Sequence, residues 1–476
     1  MKKHREDRLI KNDIVLRSKV IQLSGDAWPC PEDLLERHSE IENISPVLLN
    51  ARAPLVFGVD APWGGGKTTF LNLWQHYLKR DGKVSLYLNA WESDFAEDPL
   101  LPMLSVLDSW LDKTRNKPAK SAWNKAKSYA PGIIKSTAVA AAKAATLGIL
   151  DLEKEYEKLA ADLVGDSVES LVDSFTVKQK SLVAFKEHLK KALEALPVEQ
   201  PNLIVFVDEL DRCRPTYAIE VLERIKHLFD VERIVFVIAI NRDQLSKSFQ
   251  GVYGPAFDGD NYLKRFIDLD YHLKTAKLER YVKSKFYDSS ITEYFSNRGF
   301  EQQDYSYASD ILYFLAQRFS LTLRDVDQFA IRLELILRSI PKDHYVDVHL
   351  LVPMMILRQE NLTLYRQYAE DASHANKVAS FLLGAPIGQL KLDQSMAIAV
   401  AYLIAAARIL HNSTSIDHLI KPWRDWLEHT DIEDDQRSYI KTVVEFSSSP
   451  KEFLRRSRIN DLAFKRIELL HKIDIS

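Results

Sequence analysis

The sequence predicts a soluble α/β chain, in which a parallel sheet buried on both faces contains a helical insertion and is followed by an all-helical region. Three observations favour this class. Short apolar runs that end in polar residues alternate with stretches of helical periodicity, as in parallel sheets covered by helices. Three consecutive glycines, 64–66, follow the first run. Glycine is otherwise scarce: the 15 glycines among 476 residues are well below the usual ~7%, which is typical of a helix-rich chain.

Five apolar runs predict the strands of this sheet. They cover residues 55–59, 84–88, 203–207, 234–240 and, as a fifth candidate, 266–271. A helical pattern follows the first run after the glycines, and another, at 217–229, follows the third. The alternation of strand, loop and helix favours parallel strands joined by helical crossovers.

The length predicts two to three domains, at roughly 150 residues for each. We expect an N-terminal lead-in at 1–50, a sheet core at 51–102 and 201–275, and a helical insertion at 103–200. A helical region at 276–476 follows and is expected to hold a lid and a partner-binding part. Residues 133–150 are rich in alanine, but Lys135 and Lys143 interrupt them. We therefore expect a soluble helix there and no membrane span.

Composition excludes several classes of protein. Apolar residues make up 46% and charged residues 28% of the chain, which excludes wholesale disorder, collagen and a disulfide scaffold. The 64 Lys and Arg nearly balance the 67 Asp and Glu, so the net charge is −3 and no global field attracts nucleic acid or an anionic membrane. Cys30 and Cys213 form no CxxC pair, which fits a reducing compartment. The N-terminus lacks the apolar core of a signal peptide, so a cytoplasmic location is expected.

The loop APWGGGKTT, residues 61–69, is close to the phosphate-binding pattern G-x-x-x-x-G-K-[ST]. Glycines allow backbone N–H groups to turn inward, and a helix N-terminus favours anions. Lys67 is expected to reach the β and γ oxygens of a nucleotide, and the Thr68 hydroxyl to bind Mg²⁺. The predicted nucleotide-binding residues of the loop are Ala61, Pro62, Trp63, Gly64, Gly65, Gly66, Lys67, Thr68 and Thr69.

Two features bear on that prediction. A glycine-rich turn that merely caps a helix is the alternative, but a strand before the loop and a helix after it favour nucleotide binding. Ala61 stands where the pattern has its first glycine. If the backbone needed a positive φ there, alanine would cost about 1 kcal/mol.

The third apolar run ends in two carboxylates, Asp208 and Glu209. Their place at the end of a parallel strand puts them at the carboxyl edge of the sheet, where ligands of open α/β folds bind. Asp208 is expected to order the Mg²⁺ shell, and Glu209 to orient or deprotonate the attacking water. A surface loop after a buried strand would explain the pair alone, so the prediction depends on its combination with the glycine loop.

Several segments together resemble the KAP family of P-loop NTPases. They are APWGGGKTT, YLNAWESDFAEDPL, IVFVDELDRCRPTYAIEVLERIKHLFD, VFVIAINRDQL and YLKRFIDLDYHL. The resemblance covers residues 35–340 and implies the additional-strand class of P-loop fold, with sheet order 5-1-4-3-2. It also implies an ATPase with ATP and Mg²⁺ as cofactors. Many members carry membrane helices between the two nucleotide-binding motifs, and this chain has the insertion without a convincing membrane helix.

The resemblance points to four more candidate residues. Asn241 resembles a sensor, and Asn89 could hydrogen-bond Glu209, although each asparagine could equally be a turn or helix N-cap residue. Arg265 precedes the fifth strand, where related ATPases place an arginine finger. Arg324 resembles a sensor arginine of a helical lid. For both arginines a plain solvated side chain is the favoured alternative.

Prokaryotic members of the family are often linked to exclusion of bacteriophage. The resemblance therefore implies an ATPase whose hydrolysis of Mg-ATP drives conformational change in a bacterial anti-phage defence complex. An ATP-dependent oligomeric scaffold that recruits a separate effector without turnover is the alternative, and a small-molecule kinase ranks third because no acceptor pocket is recognisable.

Expected partners are proteins of the same defence operon, and the chain could also form a homo-oligomer. The basic amphipathic stretch 451–466 could bind nucleic acid or a protein, with a solvated helix face as the favoured interpretation. No membrane contact is expected.

Asp211 and Arg212 complete the acidic and basic motif that follows the third strand. The sequence assigns neither of them a role.

Overall fold

The computed structural model describes residues 23, 27–134, 168–197, 199–274, 277–287, 291, 302–340, 347–389, 392–410, 416–429, 431–448 and 467–468. These residues fall into two compact units, which divide between Ala276 and Lys277. The first, here called the sheet unit, lies within Val20–Ala276, and the second, the helical unit, lies within Lys277–Ser476.

The sheet unit is built on five strands. They are β1 Leu55–Asp60, β2 Ser85–Asn89, β3 Leu203–Asp208, β4 Ile234–Ile240 and β5 Leu269–His272. Their order is β2-β3-β4-β1-β5, and every neighbouring pair is parallel. Counted from the other edge this is 5-1-4-3-2, so the predicted topology of the additional-strand class is confirmed.

Eight α-helices surround these strands within the described part of the sheet unit. They are α1 His38–Leu49, α2 Lys67–Arg80, α3 Leu100–Leu111, α4 Lys117–Tyr129, α5 Val168–Leu193, α6 Pro215–Leu228, α7 Arg242–Tyr253 and α8 Gly259–Leu263. All residues of β3 and β4 are buried, because helices cover both faces of the two central strands. Side chains of a strand point alternately to opposite faces. Phe206 accordingly packs with the cluster that holds α1 and α2, whereas Val205 and Val207 pack with α3–α6.

The helical insertion forms part of the cover on one face of the sheet. Trp123 of α4 and Phe185 of α5 are buried in the same apolar cluster as Leu88 of β2 and Phe236 of β4. Of the alanine-rich stretch 133–150, residues 135–150 lie outside the described residues. Among the helices that are described, none has both the length and the hydropathy of a membrane span.

The fifth strand lies further along the chain than the expected 266–271. Phe266 and Ile267 are buried in the turn after α8, and β5 begins only at Leu269. The strand itself is mostly exposed, because it pairs only with β1 at the edge of the sheet. Of the apolar residues that suggested the strand, Phe266 and Ile267 therefore belong to the turn that leads into it, whereas Leu269 and Tyr271 belong to β5.

The helical unit contains only helices among its described residues. They are α9 Leu278–Tyr287, α10 Gln302–Arg318, α11 Leu323–Arg338, α12 Val348–Glu360, α13 Leu362–Glu370, α14 Ala375–Leu383, α15 Gln394–Leu410, α16 Asp417–Leu427 and α17 Asp434–Ser448. Nearly all of α12 is buried within this unit. The basic stretch 451–466, which could bind nucleic acid or a partner, lies outside the described residues.

Candidate functional site

The phosphate loop connects β1 to α2 and uses its glycines as the motif requires. Gly64 and Gly66 have φ angles of 76° and 87°, which side chains rarely tolerate. Gly66 is the N-cap of α2, and Lys67 is the first helical residue. Ala61 does not have a positive φ, so alanine in place of the first motif glycine brings no strain of this kind.

Lys67 lies inside the loop that precedes it. Its ammonium group donates to the carbonyl oxygen of Ala61 at 2.8 Å and lies 3.6 Å from Asp211 Oδ2. Burial lowers the pKa of Lys67, because loss of water disfavours the charged form, while the carboxylates of Asp211, Asp208 and Asp60 oppose that shift. The cation is thus held in a desolvated place that faces three carboxylates.

Asp208 ends β3 and is 1% exposed. The Tyr87 hydroxyl donates to its Oδ2 at 2.8 Å, and the backbone N–H of Glu209 donates to its Oδ1 at 2.9 Å. Burial, and next the charge of Asp208, raise the pKa of Tyr87 well above its usual value, so the phenol keeps the proton that it donates. Carboxylate and hydroxyl oxygens suit Mg²⁺, and Asp208 with the half-buried Thr68 provides both kinds.

Glu209 has an unusual backbone and a charged partner. Its φ is 60°, a value uncommon for residues other than glycine, and it places Glu209 at the turn between β3 and a short 3₁₀ segment, Leu210–Arg212. Glu209 Oε1 lies 2.9 Å from Nη1 of Arg212. The guanidinium of Arg212 in turn lies over the ring of Trp91, 5.4 Å from its centroid.

Asp211 connects three parts of the site, although the sequence assigned it no role. Its Oδ2 accepts hydrogen bonds from Trp63 Nε1 at 2.7 Å and from the backbone N–H of Asn241 at 3.0 Å. It therefore joins the phosphate loop, the segment after β3 and the end of β4, beside Lys67. In the sequence, only its position within the DELDR motif indicated that Asp211 belongs to the site, because Trp63, Lys67 and Asn241 are distant from it along the chain.

The two candidate asparagines use their side-chain oxygens locally. Asn241 Oδ1 accepts from the backbone N–H of Gln244 at 3.3 Å as the N-cap of α7. Asn89 Oδ1 accepts from the N–H groups of Trp91 and Glu92 at 3.1 and 3.2 Å. Such local hydrogen bonds are typical of turn and helix N-cap residues, the alternative that the sequence left open for both asparagines. Asn89 nevertheless lies opposite Asp208 in the register of β2 and β3.

The two candidate arginines are both exposed. Arg265 follows α8, and its guanidinium lies 5.7 Å from the centroid of the Tyr262 ring. Arg324 belongs to the helical unit, in the first turn of α11, next to the capping box that Thr322 and Asp325 form. The site residues that the structure does bring together are those of the phosphate loop, the end of β3 and the end of β4.

Comparison with known proteins identifies a distant relative of this chain. The phage T7 exclusion protein of Escherichia coli (strain K12) is 25% identical to this chain over 254 residues, which are 51% of this chain and 33% of that protein. The chain thus spans about a third of the length of that relative.

Two solved structures align with almost the whole chain at low similarity. AMPPCP-bound DnaA from Aquifex aeolicus covers 97% of this chain and 99% of its own, at 12% identity and a TM-score of 0.28. The Aeropyrum pernix ORC2 protein, in ADPNP-ADP complexes, covers 92% and 99% at 14% identity and a TM-score of 0.30.

A protein-family comparison assigns the chain to a family. The family model described as "KAP family P-loop domain" matches residues 37–340. This span contains the phosphate loop, Asp208, Glu209, Asp211 and Asn241. This span is well over half of the chain, and the observed strand order of the sheet is the one expected for the family. The chain belongs to the KAP family of P-loop NTPases.

Proposed function

We propose that this protein binds ATP with Mg²⁺ and hydrolyses it, and that the cycle drives a conformational change. One observation carries the proposal: Lys67 lies 3.6 Å from Asp211 at the carboxyl edge of the sheet, within the field of the Asp208 carboxylate, and Glu209 directly follows Asp208. A buried lysine 3.6 Å from a carboxylate, in the first turn of a helix that follows a glycine loop, is suited to phosphate oxygens.

Each residue has a role that its surroundings support. Lys67 would pair with the β and γ oxygens, where its charge balances phosphate. Thr68 and Asp208 would hold Mg²⁺, which supplies charge neutralisation at the transferring phosphoryl group. Glu209 would orient the attacking water and accept its proton. The candidate sensors Asn241 and Arg324 and the candidate finger Arg265 remain proposals for nucleotide contact.

The biological setting is also a proposal. The name of the Escherichia coli relative refers to exclusion of phage T7, and we propose that this chain acts in anti-phage defence in the cytoplasm. We propose partners encoded in the same defence operon, and a homo-oligomer in which Arg265 acts on a neighbouring copy. ATP turnover would then change the contacts of the helical unit with such a partner.

The test measures ATP binding by calorimetry and phosphate release with and without Mg²⁺. Lys67→Ala should lose measurable binding, whereas Lys79→Ala, which removes an exposed lysine of the same helix, should bind like the wild type. Glu209→Gln should bind ATP and lose turnover, because an amide cannot accept the proton. Normal binding by Lys67→Ala would contradict the site.

Phage infection assays separate turnover from scaffolding. If hydrolysis drives function, cells that carry Glu209→Gln lose the protection that the wild type gives. If the protein is an ATP-dependent scaffold, protection persists in Glu209→Gln and is lost only in Lys67→Ala.

A further inference from the structure

We propose that Arg212 is a positioning residue that orients the Glu209 carboxylate for hydrolysis, and that Trp91 holds Arg212 in place. The inference rests on the proposed ATPase function and adds two residues to it. It concerns a chain of three side chains, Glu209, Arg212 and Trp91, here called the Trp91 relay.

The relay begins at Glu209, a residue whose backbone conformation is set by the turn and whose side chain is long. The φ of 60° at Glu209 sets the direction of its Cα–Cβ bond at the end of β3. Three side-chain torsions remain, and ordering such a side chain costs conformational entropy. The contact of 2.9 Å between Glu209 Oε1 and Arg212 Nη1 restricts those torsions, because it fixes one carboxylate oxygen.

Arg212 can serve this purpose only if it is itself held. It is partly exposed, with 31% of its side chain accessible, and exposed ion pairs alone are weak. Its guanidinium lies 5.4 Å from the centroid of the Trp91 ring, within the range of a cation–π contact. A planar guanidinium can stack on a ring and pair with a carboxylate at the same time, which an ammonium group does less well.

Trp91 is anchored although the residue is 52% exposed. Its backbone N–H donates to Asn89 Oδ1 at 3.1 Å, where β2 ends. Further along the same loop, Asp94 accepts hydrogen bonds from the backbone N–H and the Nε of Arg214, both at 2.9 Å. The loop that carries Trp91 is therefore tied to β2 and to the segment that follows Arg212.

A role through Glu209 has a distinct kinetic signature. Arg212 should affect the step in which Glu209 handles water and leave ATP binding unchanged. We expect Arg212→Ala to lower kcat on the order of tenfold while KM stays within about twofold of the wild type. Arg212→Lys should recover part of the rate. Trp91→Phe should keep most of it, and Trp91→Ala should lie between the wild type and Arg212→Ala.

Arg80 provides a matched control in the same unit. It pairs with Asp81 at 2.7 Å, and its guanidinium lies 5.1 Å from the centroid of the Tyr77 ring, at the far end of α2 from the phosphate loop. Arg80→Ala should therefore leave kcat unchanged. Thermal melts of every variant check folding, and if Arg212→Ala does not fold, Trp91→Ala and Trp91→Phe test the relay with Arg212 intact.

The double variant Arg212→Ala with Glu209→Gln tests whether Arg212 acts through Glu209. We expect the double variant to keep the small residual rate that single-turnover measurements with excess enzyme detect in Glu209→Gln alone. A further loss in the double variant, or a wild-type kcat in Arg212→Ala and Trp91→Ala, would overturn the relay while the ATPase function stands. A wild type that binds ATP without any turnover would instead overturn the proposed function, and the relay with it.

Discussion

Trp63 of the phosphate loop donates its indole N–H to Asp211, three residues beyond the end of β3, at 2.7 Å. Trp63 is 43% exposed, so the bond fixes a residue at the rim of the loop. The same carboxylate oxygen lies 3.6 Å from the Lys67 ammonium group. Asp211 is thus a common partner of the loop and its lysine.

Replacing Asp211 should weaken both binding and stability. Asp211→Ala removes the acceptor of Trp63 Nε1 and of the Asn241 N–H, and hydrogen bonds to charged groups contribute about 1.5–3 kcal/mol. We expect about a tenfold or larger loss of ATP affinity, together with a lower free energy of unfolding. Asp243→Ala, an exposed carboxylate in the first turn of α7, is the control. Wild-type affinity in Asp211→Ala would show that the loop does not depend on this carboxylate.

Two glycines with positive φ separate backbone strain from nucleotide binding. Gly66 (φ 87°) lies in the phosphate loop, and Gly82 (φ 67°) lies in the turn after α2 with open space around it. Alanine at either position should cost about 1–2 kcal/mol of stability. Calorimetry should show that only Gly66→Ala also loses ATP affinity, because only that backbone shapes the loop. Equal affinities for the two variants would count against the loop as the binding site.

The buried ammonium of Lys67 predicts a pH dependence of stability. Its pKa is lowered from 10.5 in the folded protein, so the unfolded chain binds more protons between the lowered value and 10.5. The free energy of unfolding therefore gains a contribution as pH rises through that window. Urea titrations of the wild type and Lys67→Met, at about pH 7 and about pH 10, should show the wild type gaining stability relative to the variant. A constant difference between the two proteins would contradict the burial of the charge.

Thiol chemistry tests the packing beside Glu209. Cys213 is buried, and burial, with the charges of Asp94 and Asp211 next, raises its pKa to about 12. At pH 8 its thiolate is then about 10³-fold rarer than that of an ordinary cysteine with a pKa near 8.5. Ellman's reagent should label Cys213 slowly in the folded protein and rapidly in urea, with Cys213→Ser identifying the signal. Rapid labelling of the folded wild type at this residue would show that the segment opens.

The sequence predicted much of the candidate site because its signals are local. A glycine loop before a helix, and an apolar strand that ends in Asp208 and Glu209, can be recognised without knowing which strands are neighbours. The asparagines illustrate the limit of such signals. Asn89 and Asn241 each end a strand near the site, and only the structure shows that their side-chain oxygens accept from nearby backbone N–H groups.

The sequence by itself determined the class of fold, the motifs and the polar residues that end the strands, since periodicity and turn chemistry act over a few residues. Tertiary structure decided which distant residues meet. Asp211 joins Trp63 and Asn241 because β3 and β4 are neighbours and β1 lies next to β4, and Arg212 reaches Trp91 because β2 lies beside β3. The family resemblance implied the strand order, but no short segment encodes it, because it depends on how the crossover connections pack back onto the sheet in the whole unit.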